Sequence, residues 1–268
     1  MASLRILARV VSCAAFVVAS TGAFAQGFAA LVSPPRFELV GKPGDKIRDV
    51  VEITNAGAQP AKYKLRTADW TFSKDASVSF DDSLKPGSCR PWVAIESRQI
   101  TVSQGGKYRY RFEVAPPADA PAGECRFALL IEGDDQQVQT PGGPAFPIAG
   151  RLAVIVYVTI GTAEASLEVV GTKVAPINGE DLPVLSVKNS GNAHGRVAGF
   201  LSGTDAAGKK LEFTAATLPI LPGETRDISL AIYREKDEAI KVAYPITIRG
   251  KLEWGGKSSA FEQTFSKK

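Results

Sequence analysis

The chain has 268 residues, with 32 lysines and arginines against 28 aspartates and glutamates and a formal charge of +4. That near balance, without a basic stripe interleaved with aromatics, argues against nucleic-acid binding. One histidine and three cysteines leave no constellation for a zinc site or a Ser-His-Asp enzyme, so no catalytic residue, cofactor or metal is expected.

The first segment is built for export. Arg5 and Arg9 form a basic head, Val10 to Ala19 an apolar centre, and Ala23-Phe24-Ala25 a small-residue site before Gln26. This layout predicts a cleavable signal peptide over 1–25. The rival reading, a membrane anchor, needs a longer apolar centre. No later run is long enough for stable membrane insertion by a helix. Cleavage leaves about 243 residues with a charge of about +2, room for two cores of roughly 100–130 residues each. Cys13 departs with the signal, and the remaining pair, Cys89 and Cys125, predicts a disulfide in an oxidising compartment. The alternative is two buried thiols.

The chain has 25 glycines and 17 prolines, spread along its whole length. Between them lie short runs rich in Val, Ile, Thr and Phe, without a sustained helical period. The fold class expected is all-β, many short strands joined by turns. "KYRYRFEVAPP" (107–117) alternates Tyr108, Tyr110, Phe112 and Val114 against Lys107, Arg109, Arg111 and Glu113, the mark of a strand with one wet face. The pattern then repeats. "VVEITNAG" (50–57) is echoed by "VLSVKNSG" (184–191), and "ITVSQGGKYRYRFEV" (100–114) by "LPILPGETRDISLAI" (218–232). Two immunoglobulin-like β-sandwich domains in tandem fit this repeat, over 26–160 and 161–268. The short junction "TIGTAEAS" (159–166) favours a bent, fairly fixed pair.

"DDQQVQTPGGPA" (134–145) reads as a loop, either an ordinary hairpin connection or a segment that orders on a partner. After it comes "FPIAGRLAVIVYVTIG" (146–161). Phe146, Ile148, Leu152, Val154, Val156, Val158 and Ile160 share one parity; Ala149, Arg151, Ala153, Ile155 and Tyr157 share the other. A single strand over 146–160 would have 15 residues, against the usual 3–10 or so. Gly150 is placed to bend or bulge it. Sequence leaves two readings: an exposed apolar edge, or a strand buried on both faces.

The first domain resembles the PapD-like periplasmic chaperones of pilus and fimbrial assembly. The resemblance rests on the secreted start, "VSPPRFELV" (32–40), "VVEITNAGAQPAKYKLRTADW" (50–70), "PPADAPAGECRFALLIEG" (116–133) and the long strand at 146–161. It implies a periplasmic protein with two Ig-like domains that caps secreted or pilus subunits by strand addition along 146–160. The implied partners are protein subunits, pilin-like or another exported client, and an outer-membrane usher. In the family an arginine of the first strand and a lysine of the domain's last strand hold a subunit's terminal carboxylate. The arginine maps onto Arg36. The lysine maps onto Ala153 and is absent, but Arg151 lies two residues earlier on the same face. The expected partner-binding set is Arg36, Arg151, Phe146, Ile148, Leu152 and Val154. These departures mark a distant member. The competing reading is a cell-envelope Ig-like structural or adhesion protein without chaperone activity. His194, in the turn "KNSGNAHGRV", is expected to be solvated or turn-bonded. Trp70, Trp92 and Trp254 are expected in cores.

Overall fold

Runs of β-branched and aromatic residues between turn residues fold as strands throughout, forming two immunoglobulin-like sandwiches in tandem. The computed structural model describes residues 28–134, 136–139, 143–234 and 240–267. The expected signal peptide lies outside the described residues. Among them no helix is long and apolar enough to cross a membrane.

The first sandwich contains β1 (Ala30–Ser33), β2 (Arg36–Gly41), β3 (Ile47–Asn55), β4 (Ala61–Phe72), β5 (Val78–Asp81), β6 (Val93–Ile95), β7 (Gln99–Val102), β8 (Lys107–Val114), β9 (Gly123–Gly133), β10 (Gln136–Gln139), β11 (Ala145–Ile148) and β12 (Arg151–Ile160). One sheet runs β1-β3-β8-β6 and the other β2-β12-β9-β4-β5, with β7 also on β4. The opening strand is divided between the sheets. β1 pairs antiparallel with β3, while β2 pairs parallel with β12. Pro34 and Pro35 sit at the crossing, where two residues without N–H donors interrupt a ladder naturally. Phe37, Val51, Ile53, Phe112, Phe127 and Val156 meet between the sheets.

The second sandwich contains β13 (Leu167–Ile177), β14 (Glu180–Asn189), β15 (Phe200–Thr204), β16 (Lys210–Ala215), β17 (Thr225–Ile232), β18 (Ile246–Trp254) and β19 (Lys257–Phe265). Its ladder is continuous in the order β13-β14-β17-β16-β15-β18-β19, around a core that includes Leu185, Phe213, Ile228 and Phe265.

The sequence repeat corresponds to one local structure built twice. Asn55 ends β3 and Asn189 ends β14, and both are fully buried. Asn55 donates to Gln59 O at 2.7 Å and Val102 O at 3.1 Å, and accepts from Gly57 N at 2.9 Å. Asn189 donates to Ala193 O and Ile220 O, each at 2.8 Å, and accepts from Gly191 N at 2.9 Å. Val102 and Ile220 occupy the same place in the second repeated motif, and each precedes a glycine with positive φ, Gly105 at 64° and Gly223 at 76°. One amide thus ties the end of one strand to the turn before the next, in both domains.

The apolar stretch 146–160 is not one strand. It divides into β11 and β12 at Ala149-Gly150. The reason lies at the other end of the domain. Phe28 packs on Gly133 and Gly150, and a Cβ at Gly150 would lie 2.0 Å from the Phe28 Cβ. The ring also meets Tyr63 edge-on at 6.0 Å. Beyond this point β11 pairs with β10, so Gln136–Gln139, expected as loop, forms a ladder.

Tyr110 is wholly buried, and burial pushes its hydroxyl up to about 12. Below pH 10 it is neutral in folded and unfolded chains alike. Above pH 10 only the unfolded chain ionises, so stability falls as pH rises towards 12. The loss is roughly 1.4 kcal/mol per pH unit, up to about 3 kcal/mol. Urea midpoints at pH 9, 10.5 and 11.5 should therefore decline, and Tyr110→Phe should decline less steeply. Parallel slopes for the two proteins would refute this assignment.

Candidate partner-binding site

β12 carries three of the six expected site residues, and its two rows of side chains have different surroundings. Val154, Val156, Val158 and Ile160 are buried in the first core, and Leu152 packs half-buried against it. The parity was read correctly, but Leu152 and Val154 cannot serve as exposed partner contacts: their row fills the protein's own sandwich. Phe146 remains 52% exposed. Ile148 pairs with Gln136 in the backbone ladder; its side chain lies outside the described set.

The edge of β12 is half covered. β9 pairs with it along its whole length, from Arg151↔Glu132 to Ile160↔Gly123. On the opposite side β2 pairs only from Ile155↔Arg36 to Ile160↔Gly41. Among the described residues no strand pairs with Arg151–Val154 on that side. Both earlier readings are therefore met in part: the strand is interior over its second half and an edge over its first.

Arg36 stands opposite Ile155, so Arg36 and Arg151 project from the same face of the sheet. Four residues separate Ile155 from Arg151, about 13 Å along the strand. Each guanidinium already has a carboxylate. Arg36 Nε lies 2.9 Å from Glu38 Oε1, with both side chains about half exposed. Arg151 Nε lies 2.6 Å from Glu132 Oε1, which also receives Arg66 Nη2 at 2.9 Å. The hydrogen bond from Arg66 is the main reason Glu132 sits below the usual carboxylate range. The paired arginines form a charged rail rather than a single clamp.

The same face turns towards the second sandwich. Ala68, Trp70, Ala128, Leu130 and Tyr157 form a buried cluster with Leu221. Around it lies a polar junction that the sequence did not reveal. His194, expected in a solvated or turn-bonded state, is 10% exposed. Its ring stacks on Tyr157 at 3.8 Å and its Nδ1 lies 2.5 Å from Glu124 Oε2. Glu124 is 1% exposed, and its backbone N–H donates to Asn192 O at 2.9 Å. Arg196 donates to Thr217 O at 2.9 Å and approaches the Tyr157 hydroxyl at 3.4 Å. Burial first, and the nearby Arg36 charge as well, lower its pKa. At the far end of the junction Arg226 lies over Phe72 at 4.1 Å and donates to Ser73 O and Phe72 O. One signal was available for this junction: Tyr157 is the only aromatic in the outward row of β12.

Cys89 and Cys125 are both thiols, so the expected disulfide is not formed in the structure. They are nevertheless neighbours. The Cys89 S–H donates to Cys125, and this bond, followed by burial, pushes the Cys89 thiol far above the ordinary range. Trp70 is buried in the junction cluster, while Trp92 and Trp254 pack against the two cores.

No protein-family model and no curated protein matches the chain. Solved structures do. The chain is similar to the class 5 fimbriae chaperone CfaA, at 13% identity, 88% of this chain, 98% of that chain and a TM-score of 0.47. It is similar to a chain of the CsuC–CsuE chaperone–tip adhesion subunit complex from archaic chaperone-usher Csu pili of Acinetobacter baumannii, at 15% identity, 90% and 99% coverage and a TM-score of 0.45. A third is a chain of the Salmonella enterica SafA pilin–SafB chaperone complex, at 13% identity, 88% and 96% coverage and a TM-score of 0.45.

Proposed function

We propose that this protein is a periplasmic, chaperone-like binder that caps an exported, pilin-like subunit by strand addition at the first half of β12. The observation that carries the reading is the half-covered edge: β2 reaches only Ile155, leaving Arg151–Val154 without a strand on that side among the described residues. An extended segment there gains backbone hydrogen bonds. Exposed Phe146 supplies an apolar contact beside it. Arg36 or Arg151 receives the segment's carboxylate by exchanging it for Glu38 or Glu132, and Glu38 is exposed enough to swing away. Export follows from the signal peptide over 1–25. An outer-membrane usher is the proposed second partner, and the unit boundary falls at residues 160–161. The binding chemistry needs no catalytic group.

The test is capture of co-expressed pilin-like subunits, with melting temperature measured in parallel. Arg36→Ala should weaken capture about tenfold, in line with roughly 1.5–3 kcal/mol for a hydrogen bond to a charged group. Phe146→Asp should also weaken it. Neither should shift melting by more than a degree or two, because both residues are exposed. Full capture by a normally folded Arg36→Ala protein would remove the anchor and favour the structural or adhesion alternative.

A further inference from the structure

Glu38 sits where the two sandwiches meet. It projects from β2 on the same face as Arg36, two residues earlier, and its neighbour in the β2–β12 ladder is Tyr157. The Tyr157 ring is a platform for two groups of the second sandwich. His194 stacks on it at 3.8 Å, and the Arg196 guanidinium lies 5.8 Å from its centroid. Three nitrogens, drawn from both sandwiches, converge on one oxygen, Glu38 Oε1. Arg36 Nε lies at 2.9 Å, His194 Nε2 at 3.7 Å and Arg196 Nε at 4.0 Å.

Glu38 does not satisfy all three. Only the Arg36 distance is that of a hydrogen bond. Arg196 directs its Nη groups to Thr217 O and the Tyr157 hydroxyl. Its Nε is buried and has no hydrogen-bond partner among the described residues. A buried N–H without an acceptor is costly and uncommon. Glu38 leans to Arg36, its neighbour on one strand, and stops short of Arg196. Glu124 is engaged by His194 Nδ1, so among the described residues Glu38 is the one carboxylate paired with either guanidinium. The result is two guanidiniums, one from each sandwich, around a single glutamate whose side chain is 51% exposed.

We propose that Arg196 is the second arm of a carboxylate receptor whose first arm is Arg36, and that Glu38 is a resident placeholder which a partner's terminal carboxylate displaces. The inference rests on the β12-edge reading and adds to it a residue of the second sandwich. A free carboxylate has no tether to β2. One of its oxygens can take Arg36 Nε while the other takes the Arg196 Nε that Glu38 leaves unmet. Such charge-assisted bonds are shorter and stronger than neutral ones. Displacement is easy here, because the Arg36–Glu38 pair is exposed on both sides and exposed pairs contribute little. Glu38 thereby sets a threshold. A neutral group that cannot bridge two guanidiniums does not displace it, so the receptor selects the end of a chain over its middle.

The probe is a fluorescent eight-residue peptide alternating valine and serine, made with a free terminal carboxylate and as the terminal amide, titrated into the full mature chain. The acid should bind at least fivefold more tightly than the amide. Glu38→Gln empties the receptor and should raise the affinity for the acid at least threefold, leaving the amide unchanged. Arg196→Gln should lower the affinity for the acid at least fivefold, again leaving the amide unchanged. Because Arg196 also holds Thr217 O, melting temperature is measured in parallel; the exposed Glu38 variant decides the matter even where Arg196→Gln unfolds. Unchanged acid affinity in Glu38→Gln, or full acid preference in a normally folded Arg196→Gln protein, would overturn the proposal. If Arg36→Ala abolishes the acid preference in either case, the β12-edge reading stands and only the second arm falls. Equal binding of acid and amide by both the natural chain and Glu38→Gln would remove the carboxylate anchor and the second arm together.

Discussion

Replacing Asn189 by leucine should cost about 3 kcal/mol of stability, and Asn55→Leu a similar amount. The Asn189 amide donates to Ala193 O and Ile220 O, and its oxygen accepts from Gly191 N and from Ser166 N at 3.1 Å. Leucine fills a comparable volume but leaves Ala193 O, Gly191 N and Ser166 N without the amide, while Ile220 O keeps the Gly195 N–H at 3.1 Å. An orphaned buried group costs about 1–3 kcal/mol, and some of these three would recover water. Asn189→Asp distinguishes hydrogen bonding from simple space filling. It keeps the two accepted bonds but turns an oxygen towards two carbonyls, so it should destabilise at least as much as leucine. Because the two sandwiches have separate cores, the Asn189 variants should loosen the second domain first. Urea unfolding followed by tryptophan fluorescence should then resolve an early transition from Trp254, which packs against the second core. A loss below 1 kcal/mol for both leucine variants would show that the repeated asparagines are not structural ties.

These asparagines also explain why the domain plan was legible. Asn-x-Gly recurs at 55–57 and 189–191 because the buried amide and the glycine N–H act on each other within three residues. Such local chemistry leaves a local sequence mark. The alternation in β8 is legible for the same kind of reason: Tyr110, Phe112 and Val114 are buried while Lys107, Arg109 and Arg111 are exposed. The division of 146–160 was only half visible. Gly150 marked the position, but the close approach that requires a glycine comes from Phe28, far away in the chain.

The candidate site was less readable. Periodicity placed Val154 and Arg151 on opposite faces of β12, and the structure agrees. It could not say which face a second sheet covers, so half-buried Leu152 and buried Val154 share a set with exposed Phe146. Edge status depends on where β2 stops, and nothing within β12 encodes that. The junction of His194, Glu124, Tyr157 and Arg196 joins residues from both sandwiches. A lone histidine in a turn carries no local sign that a tyrosine ring from another domain lies against it.

Cys89 and Cys125 lead to the second large effect. The exported protein should carry them as a disulfide worth roughly 3–4 kcal/mol, as expected for a closed loop of about 37 residues. Bond formation removes two protons and two electrons from the thiols, so it needs a disulfide-bearing oxidant in the exported compartment. Timing matters, because the folded chain opposes the reaction. Cys89 is fully buried, and the hydrogen bond it donates to Cys125 together with burial holds it as a thiol. A buried thiol is a poor nucleophile, since the thiolate is the reactive form. Oxidation should therefore occur while the chain is still folding, and protein folded first in a reducing cytoplasm should resist later oxidation. Mass spectrometry of non-reduced protein from the exported fraction should show one linked peptide pair, and protein made in the cytoplasm two free thiols. Unfolding with reductant present should lower the urea midpoint of the exported protein by the equivalent of 3–4 kcal/mol. The Cys89→Ala, Cys125→Ala double variant should already sit at the lower midpoint and ignore reductant. Two free thiols in the exported protein would sink the disulfide, leaving Cys89 as a buried apolar side chain of the first core.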